Sequence, residues 1–171
     1  MVFLQKKDNP VQNVLPRRKP IRLPDYDYAA SGAYFITVCT ANREALFWDI
    51  VGTDITAPQS LPLSDIGNIA QQGIAQIPLH YGGVAVDLYC IMPDHIHLIL
   101  RMNADTRGRI ISAPTVSTVI GSMKRWVSRQ AGRPLWQKSF YDHAIRNQRD
   151  YDEVWAYIEN NPTKYLVEKA P

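Results

Sequence analysis

The chain has 171 residues, of which 46% are hydrophobic and 10% aromatic, with 19 Lys and Arg against 16 Asp and Glu. This length predicts one domain around a single core, and the net charge of +3 gives only a mild preference for polyanionic partners. We expect neither a membrane-anchored nor a secreted protein, since no run approaches roughly 18 apolar residues and no apolar signal segment is seen. Two cysteines in apolar runs fit a reducing compartment, which favours a cytoplasmic location.

Residues 1–32 are predicted to form an extended arm that precedes a single folded domain spanning residues 33–171. Prolines at this density oppose a helix. They are Pro10, Pro16, Pro20 and Pro24. The arm is also basic, and its cations could lie along phosphates; a solvated tail is the equally weighted alternative. The candidate phosphate contacts are Arg17, Arg18, Lys19 and Arg22.

The first part of the domain predicts a strand and then a helix. Residues 34–40, YFITVCT, are β-branched and aromatic, as in a buried strand. Residues 44–62 indicate at most a short strand or hairpin. Ser64 is a candidate N-cap for a helix over residues 65–77, which has isoleucines at helical spacing and is limited by Pro78.

Two antiparallel strands follow, over residues 84–92 and 95–102, joined by a Pro-Asp turn. The second strand begins with His95 and His97. Because side chains alternate along a strand, the two imidazoles point to the same side, roughly 7 Å apart along it. This pair predicts a metal site, and the alternative is a pair of satisfied polar groups on an open sheet face.

The remaining chain predicts a helix over residues 115–130, a poorly alternating strand over 136–145, and a last helix over 150–160. The Asn161-Pro162 pair ends that helix, because the residue before proline disfavours helical backbone. The order of elements predicts an α+β fold, an antiparallel sheet with helices packed on one face in a ferredoxin-like arrangement.

The last helix carries a tyrosine that its apolar stripe does not explain. At about 100° per residue, Tyr157 lies roughly 110° from the centre of that stripe, and Asn161 follows one turn later. A phenol and a carboxamide can therefore face one site. Two imidazoles, an amide and a phenol are suited to phosphoryl chemistry on DNA.

The histidine motif and the tyrosine helix together resemble those of a known family. PDHIHLIL resembles the histidine–hydrophobic–histidine signature of HUH single-strand endonucleases, and YIENNPTKYLV resembles the tyrosine helix of their single-tyrosine transposases. The order of RLPDYDYAASGAYFITVCT, LYCIMPDHIHLIL and LWQKSFYDHAIRNQRDYDEVWAYIENNP most resembles the REP-associated tyrosine transposases of the IS200-like family. The likeness runs from about Arg22 to Leu166, and the pairing of the two motifs is more specific than either one.

The resemblance implies an enzyme that cuts and joins single-stranded DNA at imperfect palindromic hairpins with a short 5′ recognition tetranucleotide. It implies that Tyr157 is the nucleophile, forming a 5′-phosphotyrosine, and that His95 and His97 bind Mg²⁺ or Mn²⁺. In related transposases a glutamine completes the metal site. This sequence has Asn161 there, one methylene shorter, so either the amide or an intervening water would fill the position.

Other polar and aromatic side chains are candidates for contacts with DNA. Lys124, Arg125 and Arg129 could contact phosphates, and Trp126 or Trp136 could stack on unpaired bases, as could Tyr141. For each residue alone, the alternative is a solvated helix charge or a core aromatic.

Two further residues have more than one interpretation. His143 could be a metal ligand, a phosphate contact or a structural histidine, and the structural role is favoured. Asp94 could orient a histidine or simply make the turn before it, and turn-making is favoured.

Two other functions remain open. A hairpin-binding regulatory protein would keep the fold without turnover, whereas a metal hydrolase of small phosphate esters would need a closed pocket and more carboxylates near the histidines. We expect a nucleoid-associated bacterial protein, with a monomer slightly favoured over a dimer that exchanges tyrosine helices.

Overall fold

The computed structural model describes residues 32–49, 62–103 and 114–169. Within these ranges the elements are, in chain order, β1 (Gly32–Cys39), α1 (Asp65–Ala75), α2 (Ile77–His80), β2 (Val84–Ile91), β3 (His95–Met102), α3 (Val116–Gln130), β4 (Tyr141–Ile145) and α4 (Gln148–Lys169). The N-terminal arm lies outside the described residues, and so do its candidate phosphate contacts Arg17, Arg18, Lys19 and Arg22.

The four strands form one antiparallel sheet in the order β2-β3-β1-β4. Helices connect β1 to β2 and β3 to β4, which together with this strand order gives the predicted ferredoxin-like α+β fold. Strand β3 pairs on both sides, with β1 and with β2. His95 and His97 therefore lie on an interior strand, where the backbone is fixed by two ladders.

One face of the sheet packs against α1 and α3 and forms the main core. Alternate residues of β1, namely Tyr34, Ile36 and Val38, are completely buried on this face. The two helices approach closely at Gly73, where an added Cβ would lie 2.4 Å from the Val127 Cγ2 atom. Side-chain caps begin both helices as expected, at Ser64 for α1 and at Thr115 for α3.

Helix α4 lies against the opposite face, the one that carries the histidines. The register places Thr37 opposite His97, so both side chains point away from α1 and α3. The Tyr157 ring on α4 lies 5.3 Å from the His97 ring. The expectation of helices on one face thus holds for α1 and α3 but not for α4. Helix α4 packs on the histidine face because that face also carries apolar residues such as Ile99, which is completely buried.

Helix α4 does not end at residue 160 as predicted, and Pro162 lies inside it. A proline inside a helix removes one hydrogen bond, but the turns that follow it make tertiary contacts. The Tyr165 ring packs edge-on against Trp48 at 5.5 Å, and Leu166 packs against the main core. These contacts favour continuation of the helix beyond the proline.

Two other boundaries differ from the sequence predictions. Pro78 does not merely end α1, because it occupies the first turn of the short helix α2, where a missing N–H costs nothing. Strand β4 is shorter than predicted, since Trp136 makes only an isolated bridge to Thr40.

Among the described helices, none has the length and hydropathy needed to cross a bilayer.

Candidate active site

The two histidines of β3 point their outer ring nitrogens at each other. The Nε2 atoms of His95 and His97 lie 3.0 Å apart, and His97 is only 4% exposed. The alternation of a strand placed both side chains on one face, as the sequence predicted. The pair therefore presents two nitrogen atoms at a single point.

Each imidazole has an oxygen partner behind it. Asp94 Oδ1 lies 2.6 Å from His95 Nδ1, and Thr37 Oγ1 lies 2.9 Å from His97 Nδ1. Asp94 also serves the turn, because its carbonyl accepts the Thr40 N–H at 2.9 Å. The Asp94 carboxylate thus lies on His95 while its carbonyl ties the turn to Thr40, so the two interpretations are compatible.

Burial keeps the two histidines in their neutral form. It lowers the pKa of His97 to about 3, with a further contribution from the positive form of His95. Burial also lowers the pKa of His95, although the hydrogen bond and the charge of Asp94 oppose that shift. Neutral imidazole is the form that binds a metal ion, so the pair is ready to do so near neutral pH.

One assignment of protons satisfies all of these contacts in the neutral pair. His95 donates Nδ1–H to the Asp94 carboxylate, so its Nε2 must accept from His97 Nε2–H. His97 Nδ1 then accepts from the Thr37 hydroxyl. Because a hydroxyl can donate or accept, Thr37 lets His97 change tautomer, whereas the carboxylate holds His95 in one tautomer.

The spacing of the pair fits a divalent cation. Adjacent ligands of an octahedral ion with bonds of about 2.1 Å lie about 3 Å apart, as the two Nε2 atoms do. Within the described residues, no third His, Cys, Asp or Glu joins the pair to make a three-ligand cluster. From the part of the chain that the structure describes, an amide could be a further ligand, and water or a phosphate oxygen could fill the remaining positions.

Tyr157 lies beside His97 and is half-exposed. Its ring packs edge-on against His97 at 5.3 Å and against Phe35 at 5.8 Å, and the residue is 50% exposed. Tyr157 and Asn161 line one open cleft of about 260 Å³. The tyrosine and the amide predicted to share a site are therefore neighbours on one surface of α4.

The start of α4 is fastened to the sheet by two polar contacts. His143 Nε2 lies 3.0 Å from Asp150 Oδ2, which also accepts the Arg146 N–H. The Tyr151 hydroxyl donates to Asp87 Oδ2 at 3.0 Å. This contact is compatible with the structural role favoured for His143, because Asp150 belongs to the helix that carries Tyr157.

Three of the candidate DNA contacts have partners within the protein. Lys124 Nζ donates to the carbonyls of Gln137 at 2.7 Å and Ser139 at 3.3 Å, and burial lowers its pKa. Trp136 donates its indole N–H to the Lys124 carbonyl. Trp126 packs against the main core. Trp126 and Trp136 pack as the core-aromatic alternative describes, whereas Lys124 is bound to carbonyls and is not a solvated charge. Lys124 and Trp136 also line the cleft described next.

Arg125 and Arg129 are exposed on α3 and line an open basic cleft of about 620 Å³. Arg133 and Lys138, which sequence reasoning missed, line it as well. No carboxylate is found among the described residues that line this cleft. It is a surface suited to an anionic chain.

The other missed residues lie next to the histidines. Phe35 stacks on His97 at 5.3 Å, and Arg43 Nε lies 2.8 Å from Asp94 Oδ2. Alternation along β1 puts Phe35 and Thr37 on the face opposite Tyr34 and Ile36, so this signal was present in YFITVCT. Nothing in the sequence pattern pointed to Arg43.

Comparisons with known proteins agree with this geometry. The family model described as "Transposase IS200 like" matches residues 64–161, a range that contains both histidines and Tyr157. An uncharacterized protein of Haemophilus influenzae is 30% identical over 164 residues, which cover 85% of this chain and 88% of that protein. A putative REP-associated tyrosine transposase of the same organism is 26% identical, over 81% of this chain and 74% of its own length.

Two further relatives carry the same description. A REP-associated tyrosine transposase of Escherichia coli is 27% identical over 47% of this chain and 45% of its own length. A solved structure of a REP-associated tyrosine transposase bound to a REP hairpin has a TM-score of 0.55 and 23% identity, covering 79% of this chain and 68% of that one. That structure shares the fold described above. The chain belongs to the IS200-like transposase family.

Proposed function

We propose that this protein is a metal-dependent endonuclease and strand transferase that acts on single-stranded DNA at REP-like hairpins. The observation that carries the proposal is the position of Tyr157, half-exposed and 5.3 Å, ring to ring, from His97. A phenol beside two neutral imidazoles combines a nucleophile with a site for a cation, which can stabilise the charge that develops when a phosphodiester is attacked.

His95 and His97 would hold Mg²⁺ or Mn²⁺ through their Nε2 atoms, and Asn161 would complete the site directly or through a water. When bound, such a cation polarises the phosphate and stabilises the charge that builds on its oxygens. Asp94 and Thr37 orient the two imidazoles from behind. The support for this assignment is the 3.0 Å spacing of the ring nitrogens.

Tyr157 performs the covalent step. Its phenol oxygen attacks phosphorus, giving a bond between the tyrosine and a 5′-phosphate, while the bond to the 3′-oxygen breaks. The phenol proton leaves to solvent, which reaches this half-exposed side chain, and the departing oxygen takes a proton to become a 3′-OH. Because the phosphodiester energy is kept in the phosphotyrosine, a 3′-OH can reverse the step and rejoin DNA without ATP.

His95, His97 and Tyr157 come together within one chain. His143 and Tyr151 tie the first turns of α4 to β4, through Asp150, and to β2, through Asp87. Tyr157 is thereby held over the histidines of its own chain. This arrangement supports a monomer that cuts in cis.

The DNA would be held by the basic cleft and by an aromatic side chain near the nucleophile. Arg125, Arg129 and Arg133 line this cleft and would contact phosphates of the strand. Tyr141 is 51% exposed, and its ring lies 6.5 Å from Phe35. It is thus placed to stack on an unpaired base close to Tyr157. A DNA substrate of this kind would bring the protein to the bacterial nucleoid.

The test is covalent capture. Purified protein is mixed with labelled single-stranded REP-like hairpins in Mg²⁺ or Mn²⁺, and adducts are detected on a denaturing gel. We expect an adduct for wild type and for the control Tyr89→Phe, whose hydroxyl contacts Gln71 on the other face, but none for Tyr157→Phe. Tight hairpin binding without any adduct would instead identify a non-cleaving DNA-binding protein.

A further inference from the structure

A strained turn follows β1, at the end of the sheet where the histidines lie. Its residues Asn42 and Arg43 have φ angles of 54° and 58°, in the left-handed region that side chains other than glycine and asparagine seldom adopt. Two such residues in succession are retained only where the surroundings determine the backbone closely. Arg43 is the unusual one, because a long side chain gains nothing locally from this conformation.

The turn is held against the residue that precedes the first histidine. Thr40 is completely buried. Its N–H donates to the Asp94 carbonyl at 2.9 Å, and its hydroxyl lies 2.8 Å from the Glu44 carbonyl and 3.0 Å from that of Asp94. Both ends of the turn are therefore fixed relative to Asp94. The strain and the anchoring together put the Arg43 side chain in one place.

In that place the Arg43 guanidinium binds the Asp94 carboxylate. Its Nε lies 2.8 Å from Asp94 Oδ2, and its Nη1 lies 2.9 Å from Cys39 Sγ on β1. The other oxygen of Asp94 lies 2.6 Å from His95 Nδ1. Since one oxygen is held by Arg43, the carboxylate cannot rotate away from the imidazole without breaking an ion pair.

We propose that Arg43 is a positioning residue, which holds Asp94 on His95 and so keeps the His95 Nε2 atom free to bind a divalent cation. The inference rests on the metal assignment of the proposed function. It goes beyond that assignment because Arg43 contacts neither the histidines nor Tyr157 among its described partners.

The chemistry follows from the tautomers of imidazole. A carboxylate fixed behind Nδ1 requires the proton there, so the lone pair is on Nε2. Without Arg43 the carboxylate gains rotamers and the proton can move to Nε2, which removes the ligand. Residues that hydrogen-bond a metal ligand typically change metal affinity by about 10- to 100-fold. Arg43 acts through Asp94, one hydrogen bond further from the metal, so we expect its loss to weaken affinity by about tenfold.

The experiment measures Mn²⁺ binding to the DNA-free protein, by the loss of the EPR signal of free Mn²⁺. Arg43→Gly removes the guanidinium and suits the left-handed backbone, so the turn is kept. Arg43→Lys keeps the charge with a single donor group. The matched control is Arg149→Gln, which removes an exposed arginine whose Nε lies 2.9 Å from Glu153 Oε1 on α4.

We expect Arg43→Gly to weaken Mn²⁺ binding about tenfold, Arg43→Lys to restore part of the loss, and Arg149→Gln to bind as wild type does. The ¹⁵N signals of the His95 ring should show a proton on Nδ1 in wild type and a mixture of tautomers in Arg43→Gly. Equal Mn²⁺ affinity in wild type and Arg43→Gly would overturn the inference alone. A wild type that binds no Mn²⁺ would overturn the metal assignment with it.

Discussion

The Tyr157 ring packs edge-on against His97, with ring centroids 5.3 Å apart. The two residues come from a helix and a strand that are distant in sequence, and each depends on its own supporting contacts. His97 is fixed by an interior strand and Thr37, whereas Tyr157 depends on where α4 docks. The site is therefore only as precise as the attachment of this helix to the sheet.

The first prediction concerns cis action. Tyr157→Phe lacks the nucleophile, and His97→Ala lacks a histidine of the pair, so neither chain alone should form an adduct. Because the proposed site lies within one chain, mixing the two variants should leave the mixture inactive. Adduct formation by the mixture, measured on a denaturing gel, would mean that tyrosine and histidines come from different chains.

The contact of Tyr165 with Trp48 predicts that the end of α4 stabilises the fold. Replacing Tyr165 by alanine removes an aromatic pair at 5.5 Å and buried apolar area, and should lower the free energy of unfolding by about 1–2 kcal/mol. Val167, two residues later and 72% exposed, is the control, with an expected change below about 0.5 kcal/mol. Urea unfolding measures both, and equal effects would mean that this part of α4 does not pack as described.

The helices around the site show which structural features local sequence can predict and which depend on tertiary contacts. Periodicity and caps predicted α1 and α3 because both signals are local. The proline rule was wrong for α4, since it describes local backbone preference, and the contacts of Tyr165 and Leu166 with distant residues override it.

The low pKa of His97 predicts a pH-dependent stability. In the unfolded chain this histidine titrates near 6.5, but in the folded protein its pKa is about 3. The unfolded state therefore binds more protons, so the stability that His97 contributes is complete above pH 6.5 and is lost as the pH falls towards 3. Between pH 6 and 4 the wild type should lose up to about 1.4 kcal/mol per pH unit more than His97→Gln. Parallel stability curves from urea unfolding would contradict this.

The two cations of α3 should behave differently in DNA binding. Arg129 lines the open cleft, so Arg129→Gln should weaken hairpin binding and reduce the slope of log affinity against log salt by about one. Lys124 is bound to backbone carbonyls, so Lys124→Gln should leave that slope unchanged and lower stability instead. Fluorescence anisotropy over a salt series measures the slopes. If only Lys124→Gln reduced the salt slope, Lys124 would be the phosphate contact and Arg129 would not.

The candidate site was predictable in part, for physical reasons. His95, His97 and Tyr157 could be found because strand alternation and helix angle are set by adjacent residues. Thr37 and Arg43 could not be paired with their partners, because that pairing depends on strand register and on a turn with left-handed backbone. Burial is equally non-local, and so Lys124 was taken for a surface charge.

The central claim is that Tyr157 forms the covalent bond with DNA, and mass spectrometry of the adduct tests it most directly. After nuclease and trypsin digestion of the complex formed with a REP-like hairpin in Mn²⁺, the nucleotide mass should lie on the peptide that runs from Asp150 to Lys164. Fragmentation should locate it on Tyr157 rather than on Tyr151 of the same peptide. A nucleotide on any other residue, or a wild-type protein that binds the hairpin and carries none, would contradict the account.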